Sequence, residues 1–209
     1  MRITVTGVSQ LRLPAECVVV TLTTGFTGPR RDEVVAETVR TTDAMRARLQ
    51  EAIADCRGRD LKLTSLRTWA GAGTDSQGNP GTPQHSAEVR GSVRLDDLSA
   101  VGPLLGELAA TRGIRVVGLD WQLTEETIAQ QQPEVIGEAF RDARQRAGWI
   151  AAAAGYRRIE PTSIRDDGAP MFARAMSAPM QRGGSAPQID LDPADVEVSA
   201  HLTVDFETT

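Results

Sequence analysis

The chain has 209 residues and a formal charge of −5, with acids and bases interspersed, a balance that argues against a nucleic-acid or anionic-membrane surface as its main partner. A domain of this length buries roughly 70% of its extended-chain surface, so a core can form without disulfide or metal staples. Cys17 and Cys56 lack CxxC spacing and read as two buried thiols rather than a redox or metal pair.

The longest apolar stretch, Trp149 to Ala154, falls far short of the roughly 20 residues that cross a bilayer, so no membrane insertion is expected. The opening Arg2-Ile3-Thr4-Val5-Thr6 is already strand-like. It leaves no room for a secretory leader, and a cytoplasmic location is expected.

A second strand, Glu16 to Phe26, alternates Val18, Val20, Leu22 and Phe26 against Cys17, Val19, Thr21 and Thr23. From Arg31 to Cys56 the positions Val35, Val39, Thr42, Met45, Leu49, Ala52 and Cys56 recur every three or four residues. This spacing predicts a long amphipathic helix stopped at Gly58. Such a helix, about 38 Å long, matches an 11-residue strand of about 36 Å and can lie along a sheet.

A third strand, Asp60 to Ala70, precedes the breaker-rich Gly71 to Pro83, and a fourth covers Ser86 to Leu95; together they predict a hairpin with a long flexible loop. Asp96 or Asp97 can cap a shorter helix to Arg112, with Leu98, Val101, Leu104, Leu105 and Leu108 as its stripe and Gly113 as its stop. A fifth strand, Ile114 to Thr124, places Val117, Leu119, Trp121 and Leu123 on its dry face.

Pro133 sits near the start of a second long helix, to Ala154, with Ile136, Ala139, Phe140, Ala143, Ala147, Ile150 and Ala154 as its stripe and Gly155 as its end. A sixth strand, Arg157 to Arg165, leads into a stretch rich in Gly, Pro, Ala and Met. The last strand, Val196 to Phe206, alternates without a break: Val196, Val198, Ala200, Leu202, Val204 and Phe206 on one face, Glu197, Ser199, His201, Thr203 and Asp205 on the other. The order ββαββαβαββ predicts a single α+β domain over residues 1–209. It consists of one antiparallel or mixed sheet carrying two long helices and one shorter helix on one face, with a Thr-rich face opposite.

Few residues carry chemistry. A nucleophilic serine needs a base, and only His85 and His201 are available, with no GxSxG elbow beside them. Gly71, Gly73, Gly78 and Gly81 fit neither GxGxxG nor a phosphate loop, and Pro80 and Pro83 block the helix that would follow. Asp190, Asp192 and Asp195 lack the Gly and distal Glu of a calcium loop. Glu125 with Glu126, and Asp166 with Asp167, are explained by capping and solubility. No catalytic residue, cofactor or resident metal is assigned.

The segment Pro170 to Met180 differs, because Met171, Phe172, Met176 and Met180 put adaptable apolar surface into a loop. It is expected to fold over its own sheet or a neighbouring subunit. The functional alternatives are a partner-docking loop and, more weakly, Cu(I) capture by Met171, Met176 and Met180.

The opening Ile3-Thr4-Val5-Thr6-Gly7, the block Val89-Arg90-Gly91-Ser92-Val93-Arg94-Leu95-Asp96-Asp97-Leu98, the helical Ala139-Phe140-Arg141-Asp142-Ala143-Arg144 with Ala151 to Gly155, and Val196-Glu197-Val198-Ser199-Ala200 resemble the SIMPL-domain family. That resemblance implies an α+β domain without an established catalytic site, frequent in bacterial envelope or periplasmic proteins, with members that form ring- or channel-like oligomers. Its roles are loose ones: stress protection, immunogenic surface proteins and, in animals, association with a signalling kinase. Lacking a signal sequence, this chain is expected to be a cytoplasmic branch. The expected function is non-enzymatic: a homo-oligomeric assembly or protein-interaction module, associating through sheet edges or the Met-rich loop. The alternative is a small-molecule-binding protein or enzyme with a pocket between the helices and residues 71–83.

Overall fold

A computed structural model describes residues 1–55, 58–74, 80–166, 174–175 and 191–209. The strands are β1 (Arg2–Leu13), β2 (Cys17–Gly28), β3 (Gly58–Leu63), β4 (Arg67–Thr74), β5 (Pro80–Leu95), β6 (Ile114–Gln122), β7 (Ile159–Asp166), the two-residue β8 (Arg174–Ala175) and β9 (Val196–Thr208). The helices are α1 (Arg31–Ala54), α2 (Leu98–Ala110) and α3 (Glu125–Ala153). The class is α+β, as expected, with two long helices and one shorter. The strands, however, form two antiparallel sheets rather than one, β1-β9-β7 with β8 on β9, and β3-β5-β2-β6 with β4 on β5.

The chain falls into two compact units, one comprising Met1–Ala15 together with α3, β7, β8 and β9, the other Glu16–Asp120. No helix among the described residues is long and apolar enough to cross a membrane.

In the first unit β1 and β9 pair over their whole length, from Arg2 opposite Glu207 to Leu13 opposite Val196. Every apolar residue from Val196 to Phe206 on the expected dry face of β9 is buried, and α3 packs on these two strands. The opposite face carries threonines, with Thr4 donating to Asp205 at 2.6 Å and Thr6 facing Thr203.

Helix α3 begins at Glu125, capped by the Thr124 side chain, and Pro133 lies inside it, eight residues after its first residue. The proline withholds one N–H from Ala129, but the Thr124 cap and the first-turn acids Glu125 and Glu126 favour nucleation upstream of it. The buried stripe is Val135, Ala139, Ala143, Ala147 and Ala151; Ile150, expected inside, is 46% exposed. Small side chains let the helix approach closely, and a Cβ added at Gly7 on β1 would lie 2.0 Å from the Ala139 carbonyl oxygen. At the C-terminus Gly155 adopts φ +84. Its N–H bonds the Ala152 carbonyl and that of Tyr156 bonds Ala151, the paired closure that a glycine permits.

In the second unit β5 is the spine. It pairs with β2 from Val18–Leu95 to Gly28–His85 and, on its other side, with β3 and then β4. The expected strand Asp60 to Ala70 is therefore two halves along one neighbour, interrupted at residues 64–66; a separate bulge within β3, between Arg59 and Lys62, goes with the positive φ of 56 at Asp60. Its hairpin is longer than expected. Pairing continues through Gly71–Gln84 and Ala72–Pro83 to Thr74–Pro80, and β5 has there passed the end of β2, so Pro83 costs that side no ladder bond.

Helix α1 lies on this sheet against β2, β5 and β3. Its buried face is Val34, Thr38, Thr42, Met45, Leu49 and Ala52, one residue out of phase at the start with the expected Val35 and Val39; Val39 is 42% exposed. Thr38 and Thr42 are buried in place of aliphatic residues because each hydroxyl bonds a carbonyl four residues back, at 2.8 Å. Helix α2 is capped by Asp97, which accepts from the Ser99 N–H. On β6 the expected dry face is only half right: Trp121 and Leu123 are buried, whereas Val117 is 56% exposed.

Candidate functional site

Met171, Phe172, Met176 and Met180 lie outside the described residues, as does Cys56. Cys17 is buried on β2, and that burial pushes its thiol above the ordinary cysteine range despite the nearby Arg94. A thiolate nucleophile is thereby disfavoured.

His201 is exposed on the Thr-rich face, opposite Val8. His85 stands on β5, opposite Gly28 and Ala70. Ser86 is its neighbour in sequence, but successive strand residues point to opposite faces, and the Ser86 hydroxyl pairs with Thr27 at 2.9 Å. His85 is therefore not placed as a base for it.

His85 does line a cleft. About 310 Å³ of space opens between the start of α1 and the β4–β5 hairpin, bounded by Arg31, Val34, Thr68, Trp69, Ala70 and His85 among others. Its lining comes from one helix and from residues 68–70 and 85–86, which flank 71–83, so it is not the pocket expected between the helices and that loop; its volume is at the small end for ligand sites. Sequence spacing could not have found it, because Arg31, Trp69 and His85 come from three separate elements. A second cleft of similar volume lies between α1 and α2. There Arg48 donates through one nitrogen to both oxygens of Glu107, at 2.8 and 3.0 Å. This bond holds the Glu107 carboxyl below the usual carboxylate range.

Sheet edges are the other candidate. A bare edge strand exposes unpaired N–H and C=O groups. On β1 two of these are occupied: Asp142 of α3 accepts from the Val8 N–H at 3.0 Å, and Arg146 donates to the Thr6 carbonyl at 2.8 Å. By contrast, the edge strands β4, β6 and β7 each display one large apolar side chain more than half exposed, Trp69 at 53%, Val117 at 56% and Ile164 at 57%.

A family model described as SIMPL, protein of unknown function (DUF541), matches residues 3–206. No curated protein matches the chain.

Proposed function

From the premise that the chain belongs to the SIMPL family, whose function is unknown, we propose that it is a non-enzymatic assembly module that self-associates through its sheet edges. The observation that carries this reading is the contrast between edges. On the β1 edge Asp142 and Arg146 bond two backbone groups, whereas among the described residues β4, β6 and β7 each pair with one neighbouring strand and carry the exposed Trp69, Val117 and Ile164. Strand addition satisfies the free backbone groups, and each apolar side chain adds burial at the seam. The Met-rich segment containing Met171, Phe172, Met176 and Met180 supplies adaptable apolar surface by composition and is the second contact element.

Size-exclusion chromatography with light scattering tests the proposal. The parent chain is expected to give a defined oligomer at micromolar concentration. Val117→Lys with Ile164→Lys, or deletion of residues 171–180, is expected to shift it toward monomer. A parent that stays monomeric at high micromolar concentration rules the reading out.

A second reading rests on the cleft bounded by Arg31, Trp69 and His85: binding of a small molecule, with the guanidinium and imidazole orienting it and Val34 and Ala70 supplying apolar contact. Thermal-shift screening of small carboxylates and aromatic acids, repeated with Trp69→Ala, checks it.

A further inference from the structure

Alternate residues of β5 divide sharply. Ala87, Val89, Val93 and Leu95 are buried on the side that α1 covers, so Ser86, Glu88, Arg90, Ser92 and Arg94 form the other face. Residues directly opposite in an antiparallel ladder share a face, which adds Arg59 opposite Arg94, Lys62 opposite Ser92 and Arg67 opposite Glu88. Arg115 of β6 reaches Glu88 at 3.2 Å.

Cations outnumber carboxylates on this face. Asp96 is shared by Arg59 at 3.2 Å and Arg94 at 3.1 Å, and Glu88 is engaged by Arg115. Lys62, Arg67 and Arg90 are exposed, and among the described residues none of them has a carboxylate within ion-pair distance. Arg94 Nη2, at the end of β5, is buried with no hydrogen-bond partner among the described residues, an unmet donor at one end of the patch. On a chain whose formal charge is −5, this is a local reversal of sign.

We propose that this face docks an extended acidic peptide segment of a partner protein, with carboxylates at alternate positions. Alternate side chains of an extended peptide are about 6.8 Å apart, the same spacing as alternate residues along β5. Guanidinium groups pair carboxylates two bonds at a time. A single-stranded nucleic acid fits less well, since its bases need successive aromatic platforms, and the chain is only 4% aromatic. Trp69, opposite Ser86, stands on this same face, so a docked peptide and the β4 edge contact of the proposed function occupy adjoining surface.

Fluorescence anisotropy of a labelled peptide alternating Glu and Ser, titrated with the full chain at low salt, tests it. Binding is expected, and Arg90→Glu combined with Lys62→Glu is expected to weaken it at least about tenfold, as is raising the salt severalfold. Arg40→Glu, exposed on α1, is expected to leave it unchanged, and circular dichroism confirms that the variants are folded. Absence of peptide binding, equal loss in Arg40→Glu, or tighter binding of an oligothymidylate than of the peptide would each overturn the proposal.

Discussion

Gly7 shows how one missing side chain sets a helix-to-sheet distance. A Cβ there would meet the Ala139 carbonyl at 2.0 Å and the Ala143 N–H nitrogen at 2.6 Å, both rigid backbone atoms that cannot swing aside. Gly7→Ala is therefore expected to lower stability by about 1–3 kcal/mol, measured by urea unfolding, although alanine suits a strand no worse than glycine does. Glu107 offers a smaller and pH-dependent effect. Its folded-state pKa lies below the ordinary value because of the hydrogen bond from Arg48, so its contribution is complete above the unfolded value and is lost as pH falls through the folded one. The pair is exposed, and solvent screening keeps it small. Glu107→Gln is expected to cost less than about 1 kcal/mol at neutral pH, a difference that closes on acidification through the carboxylate range.

Helix α1 tests how a buried stripe is chosen. Val34 is 6% exposed and Val39 is 42% exposed, although a purely apolar count favours Val35 and Val39. The same substitution should thus have opposite consequences: Val34→Ala is expected to cost about 1–3 kcal/mol through the cavity it leaves, whereas Val39→Ala is expected to change stability by less than about 0.5 kcal/mol. Equal thermal shifts for the two variants would show that the helix is rotated from the position described. Apolar spacing misreads the first turns because Thr38 satisfies its hydroxyl inside the helix, which removes the usual penalty for burying it; Thr42, expected in the stripe, does the same. Helix α3 misleads differently. Its closing signal, Gly155, is plain, but Pro133 draws attention from the Thr124 cap and the acidic first turn that begin it.

Charge bears on assembly. With a net charge of −5 at pH 7 and an isoelectric point near 5.2, copies of the chain repel one another at neutral pH, and that repulsion fades on acidification. If the edges of β4, β6 and β7 mediate association, the oligomer is expected to strengthen as pH falls from 7 toward 5.2, read by sedimentation velocity; the Val117→Lys and Ile164→Lys pair should blunt the trend. Association that weakens over this range would point instead to a contact built on ionised carboxylates.

Much of the architecture is readable one element at a time. The unbroken alternation from Val196 to Phe206 marks the dry face of β9 because a strand repeats every two residues and water penalises any apolar residue on the wrong side. Asp97 and Gly155 mark helix ends because capping is local chemistry. Alternation says which face a residue takes but not which strand lies beside it. The division of the strands into two sheets, and the placing of β3 and β4 end to end along β5, therefore emerge only on folding. The cleft and the cationic face have the same origin: Arg31 and His85, or Arg59 and Arg94, are far apart in the chain and become neighbours only through pairing with β5 and the packing of α1 upon it.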